Sequence, residues 1–250
     1  MNGWPDVLRF TAAMVTLVAL TVLLLRAHRV PLGWAPAVAV VRAAVQLAAI
    51  ATLLSGVTEW PWLALAFIAL MFTTASWTAA GRAADLPRGR RNATIAVLVG
   101  GGVAIGAVIM LGLVPFRAQQ TIAIAGIVIG NAMATVTLTA RHLVTDLLAN
   151  QGEVEGWLAL GATPSQATAR LRRESIVEAL LPNLDQTRNT GLVTLPGAFI
   201  GALFGGASPL EAGLFQLTVL GAVLLGGTTA ATVLSALAGR AAQLPRRRQG

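Results

Sequence analysis

Lysine is absent from this sequence of 250 residues: all 18 basic residues are arginine. A P-loop needs a lysine beside the phosphates, so the chain carries none, and Schiff-base chemistry is excluded for the same reason. Cysteine is absent too. That removes disulfides, thiolate nucleophiles and Cys-ligated metals. Charge is scarce: 11% of residues are Asp, Glu, Lys or Arg, against about a quarter in a soluble protein. The chain therefore belongs to the membrane class. No Asp or Glu lies within a hydrophobic run; Asp6, Glu59 and Glu211 stand at run ends. A proton- or sodium-coupled carrier needs an ionisable relay in the membrane, and a hard-metal cage needs oxygen ligands. Their absence points to energy supplied from outside the chain. No catalytic residue and no metal site is expected.

What is present is apolar. Hydrophobic residues make up 56% of the chain. A spanning helix needs about 20 apolar residues, and seven runs qualify, at about 7–25, 37–57, 60–80, 93–115, 120–140, 190–207 and 212–237, the sixth being short and glycine-rich. The start, Met1-Asn2-Gly3-Trp4-Pro5-Asp6, lacks the positive region of a signal peptide, so the first run is expected to remain a membrane helix. Arginines cluster in alternate loops: Arg26 and Arg29; Arg82, Arg88, Arg90 and Arg91; Arg170, Arg172, Arg173 and Arg188; Arg240, Arg246, Arg247 and Arg248. The loops between them hold Glu59, Arg117 and Glu211 and little else charged. Positive charge stays cytoplasmic, which puts the N-terminus outside and the C-terminus inside. The net charge of +8 is thus a topology signal rather than a nucleic-acid face. The expected architecture is an all-α integral membrane protein, a single transmembrane domain over residues 1–250 with about seven spans.

Small residues recur at helical spacing. Gly126 and Gly130 continue to Ala134; Gly197, Gly201 and Gly205 form a second ridge, and Gly102 with Gly106 a third. Such ridges let helices approach closely where lipid offers no hydrophobic drive. They read either as packing within one bundle or as a seam between two copies of the chain. Asn131, Thr135, Thr139 and His142 share one face of the fifth run. Asn131 reads as pathway lining or as glue between helices; the threonines can back-bond to their own helix. Met133 is a soft ligand or plain core. Arg42 lies within the second run with Gln46 one turn on, either paired in a polar interior or snorkelling to the surface. Pro196 cannot donate to the carbonyl of Leu192, and Gly197 follows, so a kink or break is expected in the sixth run. Broken spans line many transport cavities.

One long polar interruption, Arg141 to Asn189, separates the fifth and sixth runs. The fifth helix is expected to continue past Arg141 into the cytoplasm, with Gly152 permitting a turn. Thr163 suits an N-cap, Pro164 the first helical position and Gln166 the capping box. That second helix is expected to reach Leu181 and stop at Pro182. The result is a helix–turn–helix elbow at about 141–189, centred on Glu155, Trp157, Leu158, Leu160, Gly161, Ala162, Thr163 and Pro164. Apolar Trp157 and Leu158 can fill a groove in a partner, and Gly161 allows a sharp turn against another backbone.

The segment 155–161 has the spacing of the loop that ABC importer permeases present to their ATPase, although Leu181-Pro182 lies about two turns later than that pattern. A fuller set of motifs occurs in order: Arg42-x-x-x-Gln46-Leu47, Gly130-Asn131-Ala132-Met133, Leu158-x-Leu160-Gly161-Ala162-Thr163-Pro164-x-Gln166-Ala167, Pro182-x-x-Asp185 and Gly191-Leu192-Val193-Thr194-Leu195-Pro196-Gly197. Together they resemble the iron-export ABC transporter permease family, whose plant relatives act in aluminium tolerance. The resemblance covers nearly the whole chain. It implies a multi-pass permease subunit of a bacterial plasma membrane, paired with a second copy and powered by a separate ATPase that holds ATP and Mg. Metal export, iron for example, is the implied role. Ala198 and Phe199 stand where bacterial relatives commonly carry methionines, and Ser208 where an Asp is common. Those departures remove thioethers and a carboxylate from the sixth run. The alternative is a secondary carrier or a non-transporting membrane assembly factor, which would have no ATPase partner.

Overall fold

The computed structural model describes residues 4–57, 62–114 and 118–240. Glu59, Arg117, Arg246, Arg247 and Arg248, used above for topology, lie outside these residues. The chain divides into two compact units, Met1–Trp60 and Pro61–Gly250. The first holds α1 (Trp4–Ala27) and α2 (Ala35–Val57), which pack on each other. Arg26 stacks over Trp34, 4.6 Å from the ring centroid, at the turn between them.

The second unit holds α3 (Trp62–Arg82), α4 (Gly89–Met110), α5 (Ala118–Ala149), α6 (Gln151–Ala159), α7 (Pro164–Ala167), α8 (Ala169–Asn189), α9 (Gly197–Phe204) and α10 (Pro209–Ala238). Five helices are long and apolar enough to cross a membrane: α1, α3, α4, α5 and α10. The apolar stretch Ala35–Ala51 of α2 is shorter. The described residues are almost wholly helical, and the chain is a multi-pass membrane protein.

Small residues set the packing of the second unit. Ala93, Ala96, Ala104, Ala125, Ala132, Ala230 and Ala231 are fully buried. A Cβ on Gly100 of α4 would sit 2.6 Å from both the Ala230 Cβ and the Gly226 carbonyl of α10. Bare backbone is therefore what lets these two helices touch. Gly101 meets the Phe72 ring of α3 in the same way. The expected ridge of Gly102 and Gly106 does not make these contacts; both look onto open space. The helical period puts Gly100 and Gly101 inward and turns the other two away.

α8 departs from its neighbours in composition. It is polar along most of its length, yet Leu171, Ser175, Ala179 and Asn183 are buried at steps of four. This stripe faces α5 and α10. Arg172 donates to the Ser235 carbonyl near the end of α10, while Asn183 lies under Gly227. α8 therefore climbs antiparallel to α10, away from the elbow and towards the middle of the bundle.

Four expectations need correction. Pro182 does not stop the helix but lies inside α8, which continues to Asn189. Proline costs one backbone bond, and the buried contacts of Ala179 and Asn183 on either side hold the helix together across it. Gly152 makes no turn; it sits inside α6, and the break falls at Asn150 (φ −114°). The helix begun at Thr163 does not run unbroken: α7 ends at Ala167, and Thr168 separates it from α8. The sixth run is not one spanning helix. Residues 190–196 form a turn with a Thr190–Thr194 bridge, and α9 has only 8 residues, about 12 Å of helix against a hydrocarbon core of about 30 Å. The expected break at Pro196 is thus complete, with Pro196 as the N-cap residue of α9.

Candidate functional site

The elbow is built from the end of α5 onward. α5 spans 32 residues and passes Arg141 as expected. α6 leads to Leu160, where the chain reverses through Gly161 at φ +88°. That conformation suits glycine and strains any other L-residue. Thr163 then starts α7 with a full capping box: its N–H donates to Gln166 Oε1 at 2.9 Å, and Gln166 N–H donates to Thr163 Oγ1 at 3.4 Å. Pro164 occupies the first turn. The tip is apolar and open: Leu160 is 83% exposed and Trp157 52%. Leu158 and Glu155 are also exposed, and Ala162 is half-buried.

Ion pairs hold the base. Arg170 of α8 reaches Glu153 of α6, its Nε at 3.2 Å from Oε1, and also Glu174, its Nη1 at 2.8 Å from both carboxylate oxygens. The hydrogen bond from Arg170 holds the Glu153 carboxyl below the ordinary glutamate range. The two carboxylates in turn raise the guanidinium. A cleft of about 460 Å³ opens here, lined by Glu153, Trp157, Gln166, Arg170, Arg173 and Glu174. A neighbouring hollow of about 390 Å³ lies between Trp157, Leu160, Gly161, Ala162 and Gln166. An open apolar tip ringed by charge can receive a groove-bearing partner.

The second cluster lies in the apolar bundle. Asn131 Nδ2 donates to Asn183 Oδ1 at 3.0 Å, and Asn183 Nδ2 donates back to Asn131 Oδ1 at 2.8 Å. Asn183 Nδ2 also approaches Thr135 Oγ1 at 3.3 Å. Asn183 is only 6% exposed and Thr135 is buried. A Cβ on Gly227 of α10 would lie 2.9 Å from Asn183 Nδ2, so the glycine roofs the pair. Asn131 is thereby a bridge between helices. Thr139 bonds back to the Thr135 carbonyl at 2.8 Å, its own helix, as threonines in apolar helices do.

Met133 is half-buried against the core of the second unit. Pro196 and Gly197 open α9. Arg42 and Gln46 are exposed on α2, in the first unit. Among the described residues no group of three or more His, Asp or Glu stands close enough to hold a metal ion. A helix that ends at Pro182 leaves Asn183 outside it, so the local signal hides this residue. The four-residue step Leu171, Ser175, Ala179, Asn183 is the signal that would have found it.

Five long apolar helices and the apolar bundle, with a capped elbow between α5 and α8, define a multi-pass membrane protein. The profile described as "Uncharacterised protein family (UPF0014)" matches residues 9–242. The chain belongs to the UPF0014 family. It is 39% identical over 226 residues to "UPF0014 membrane protein STAR2" of Oryza sativa subsp. japonica, covering 89% of this chain and 79% of the relative. It is 38% identical to "Protein ALUMINUM SENSITIVE 3" of Arabidopsis thaliana, over 70% of this chain and 63% of that protein. It is also 36% identical to "Probable iron export permease protein FetB" of Escherichia coli (strain K12), over 63% of this chain and 61% of that protein. No solved structure matches the chain.

Proposed function

We propose that this chain is the membrane-spanning subunit of an ABC-type exporter in a bacterial plasma membrane. Two copies work with two copies of a separate ATPase, which holds ATP and Mg. The observation that carries this reading is the open apolar turn of Trp157, Leu158, Leu160 and Gly161 between two helices that lead back into the bundle. A chain without lysine has no P-loop of its own. An exposed, capped turn is a surface on which a nucleotide-driven partner can act. The arginine-rich loops put that turn on the cytoplasmic side.

The cargo we propose is a metal ion such as iron, the substrate in the printed name of the Escherichia coli relative. It would pass along the broken passage at 190–196. Irregular backbone at membrane depth is stable only when buried in protein or lining a watery path. Leu192 is 93% exposed there in the single chain, which fits a lining completed by a second copy.

The test is co-purification and reconstitution. The wild-type chain extracted in mild detergent should carry a stoichiometric nucleotide-binding subunit, and vesicles holding both should move ferrous iron only with ATP. Gly161→Trp should insert normally yet uncouple ATP hydrolysis from transport. Activity without any ATPase subunit would overturn the reading in favour of a secondary carrier, and full coupled transport by Gly161→Trp would overturn the docking assignment.

A further inference from the structure

Both arms of the elbow return to one point. α5 enters the elbow and α8 leaves it, and the two pack on each other. Arg170 ties α8 to α6 at the base through Glu153. About 20 Å further up α8, the Asn131–Asn183 pair ties the arms again. At the base an exposed ion pair does the tying, and such pairs are weak and screened by salt. At the apex two amides each donate and accept; Asn183 is buried and Asn131 half-buried, and parting them would leave polar groups unpaired. A Cβ on Gly227 would lie 2.9 Å from Asn183 Nδ2 and 3.2 Å from Thr135 Oγ1, so the missing side chain is what leaves room for the joint beside α10.

We infer that the reciprocal amide joint of Asn131 and Asn183, with Thr135 beside it, is a positioning element that makes α5, the elbow and α8 one rigid brace. The inference rests on the coupling function proposed above. Leu171, Ser175 and Ala179 pack α8 into the bundle between elbow and apex, and the amide pair adds a directional tie that fixes the register of α5 and α8 in a closed frame. A displacement at the Gly161 turn is then carried along α8 to the 190–196 break, which begins directly after Asn189 at the end of the same helix. The joint stays closed through the cycle. It transmits motion rather than opening as a gate.

The experiment uses the full chain with its ATPase in liposomes, with ferrous iron as the probe. Asn183→Leu and the doubly apolar Asn131→Leu/Asn183→Leu are compared with wild type for ATP hydrolysis, iron moved per ATP, and thermal stability of the complex. The brace predicts that iron moved per ATP falls about tenfold, within the usual range of coupling between sites. Hydrolysis should stay near the wild-type rate, in the double variant as well, where no amide is left unpaired. A merely structural pair predicts instead that hydrolysis, transport and stability fall in proportion, or that the double variant recovers full transport; either result overturns the brace. A second arm uses the absence of native cysteine. Asn131→Cys/Asn183→Cys, joined by a short bis-methanethiosulfonate cross-linker, from which each thiolate displaces methanesulfinate to form a reducible disulfide, should transport when cross-linked. Loss of transport that a reductant reverses would show an opening gate and overturn the closed joint. Wild-type complex without ATP-dependent transport would overturn the coupling function itself, an outcome distinct from any variant's failure.

Discussion

The two ends of α8 solve opposite problems. At the elbow end the side chains face outward: Leu160 and Trp157 project, Arg170 pairs with two exposed carboxylates, and Gly161 is needed for its positive φ. At the bundle end the side chains face inward: Asn183 is buried, its partners carry no charge, and Gly227 is needed for its missing Cβ. The same residue type is thus used for backbone freedom in one place and for space in the other. The lesson is that a polar helix can enter an apolar bundle when one stripe is small and its few polar groups pair with each other. Its remaining polarity then serves the surface.

Three substitutions break or sharpen this contrast. The largest effect is expected from Gly227→Leu. Its side chain would overlap Asn183 and Thr135, overpacking that costs about 1–3 kcal/mol or more. Folded protein after detergent extraction, followed by thermal unfolding, should fall sharply. An unchanged midpoint would mean that α8 does not lie under α10. Thr163→Ala should cost less, about 1 kcal/mol for a lost N-cap, and should loosen α7 without disturbing the bundle. Amide exchange would then rise over residues 163–168 and stay constant around Asn131; a rise in both would mean that the cap holds the bundle together as well as α7. Smallest is the acid response of the Glu153–Arg170 pair. The folded carboxyl titrates below its ordinary value of 4.5, so the pair contributes fully at neutral pH. That contribution disappears as pH falls from about 4.5 through the lower folded value. Glu153→Gln should remove this acid sensitivity of the elbow and leave the amide cluster untouched. Residue-specific exchange between pH 3 and 6, at low and high salt, measures it.

Much of the elbow was legible because its signals are local. The Thr163–Gln166 capping box, the proline after it and the glycine turn before it act within a few residues, and each formed as read. The long apolar runs were legible for the same reason, since hydrocarbon thickness dictates their length. Errors arose where a local signal met a tertiary contact. Pro182 reads as a stop, but burial of Ala179 and Asn183 carries α8 through it. The run 190–207 is apolar enough for a span, yet Pro196 and its flanking glycines leave a turn and a short helix. Gly102 and Gly106 have the spacing of a packing ridge, while the contacts fall to Gly100 and Gly101. Spacing alone cannot say which side of a helix faces a neighbour when nearly every side is apolar.

Composition and order of residues by themselves determined the membrane class, the helical architecture, the lack of a P-loop and the place of the capped turn. Each follows from a short-range or compositional rule: apolar length, capping chemistry, or a residue type that is missing. Only the tertiary structure decided that Asn131 meets Asn183, that Gly227 makes room for them and that α8 rises into the bundle. Those contacts join residues 52 positions apart. They depend on which faces of three helices meet, and in a chain this uniformly apolar that choice is made by packing and by the pairing of buried amides.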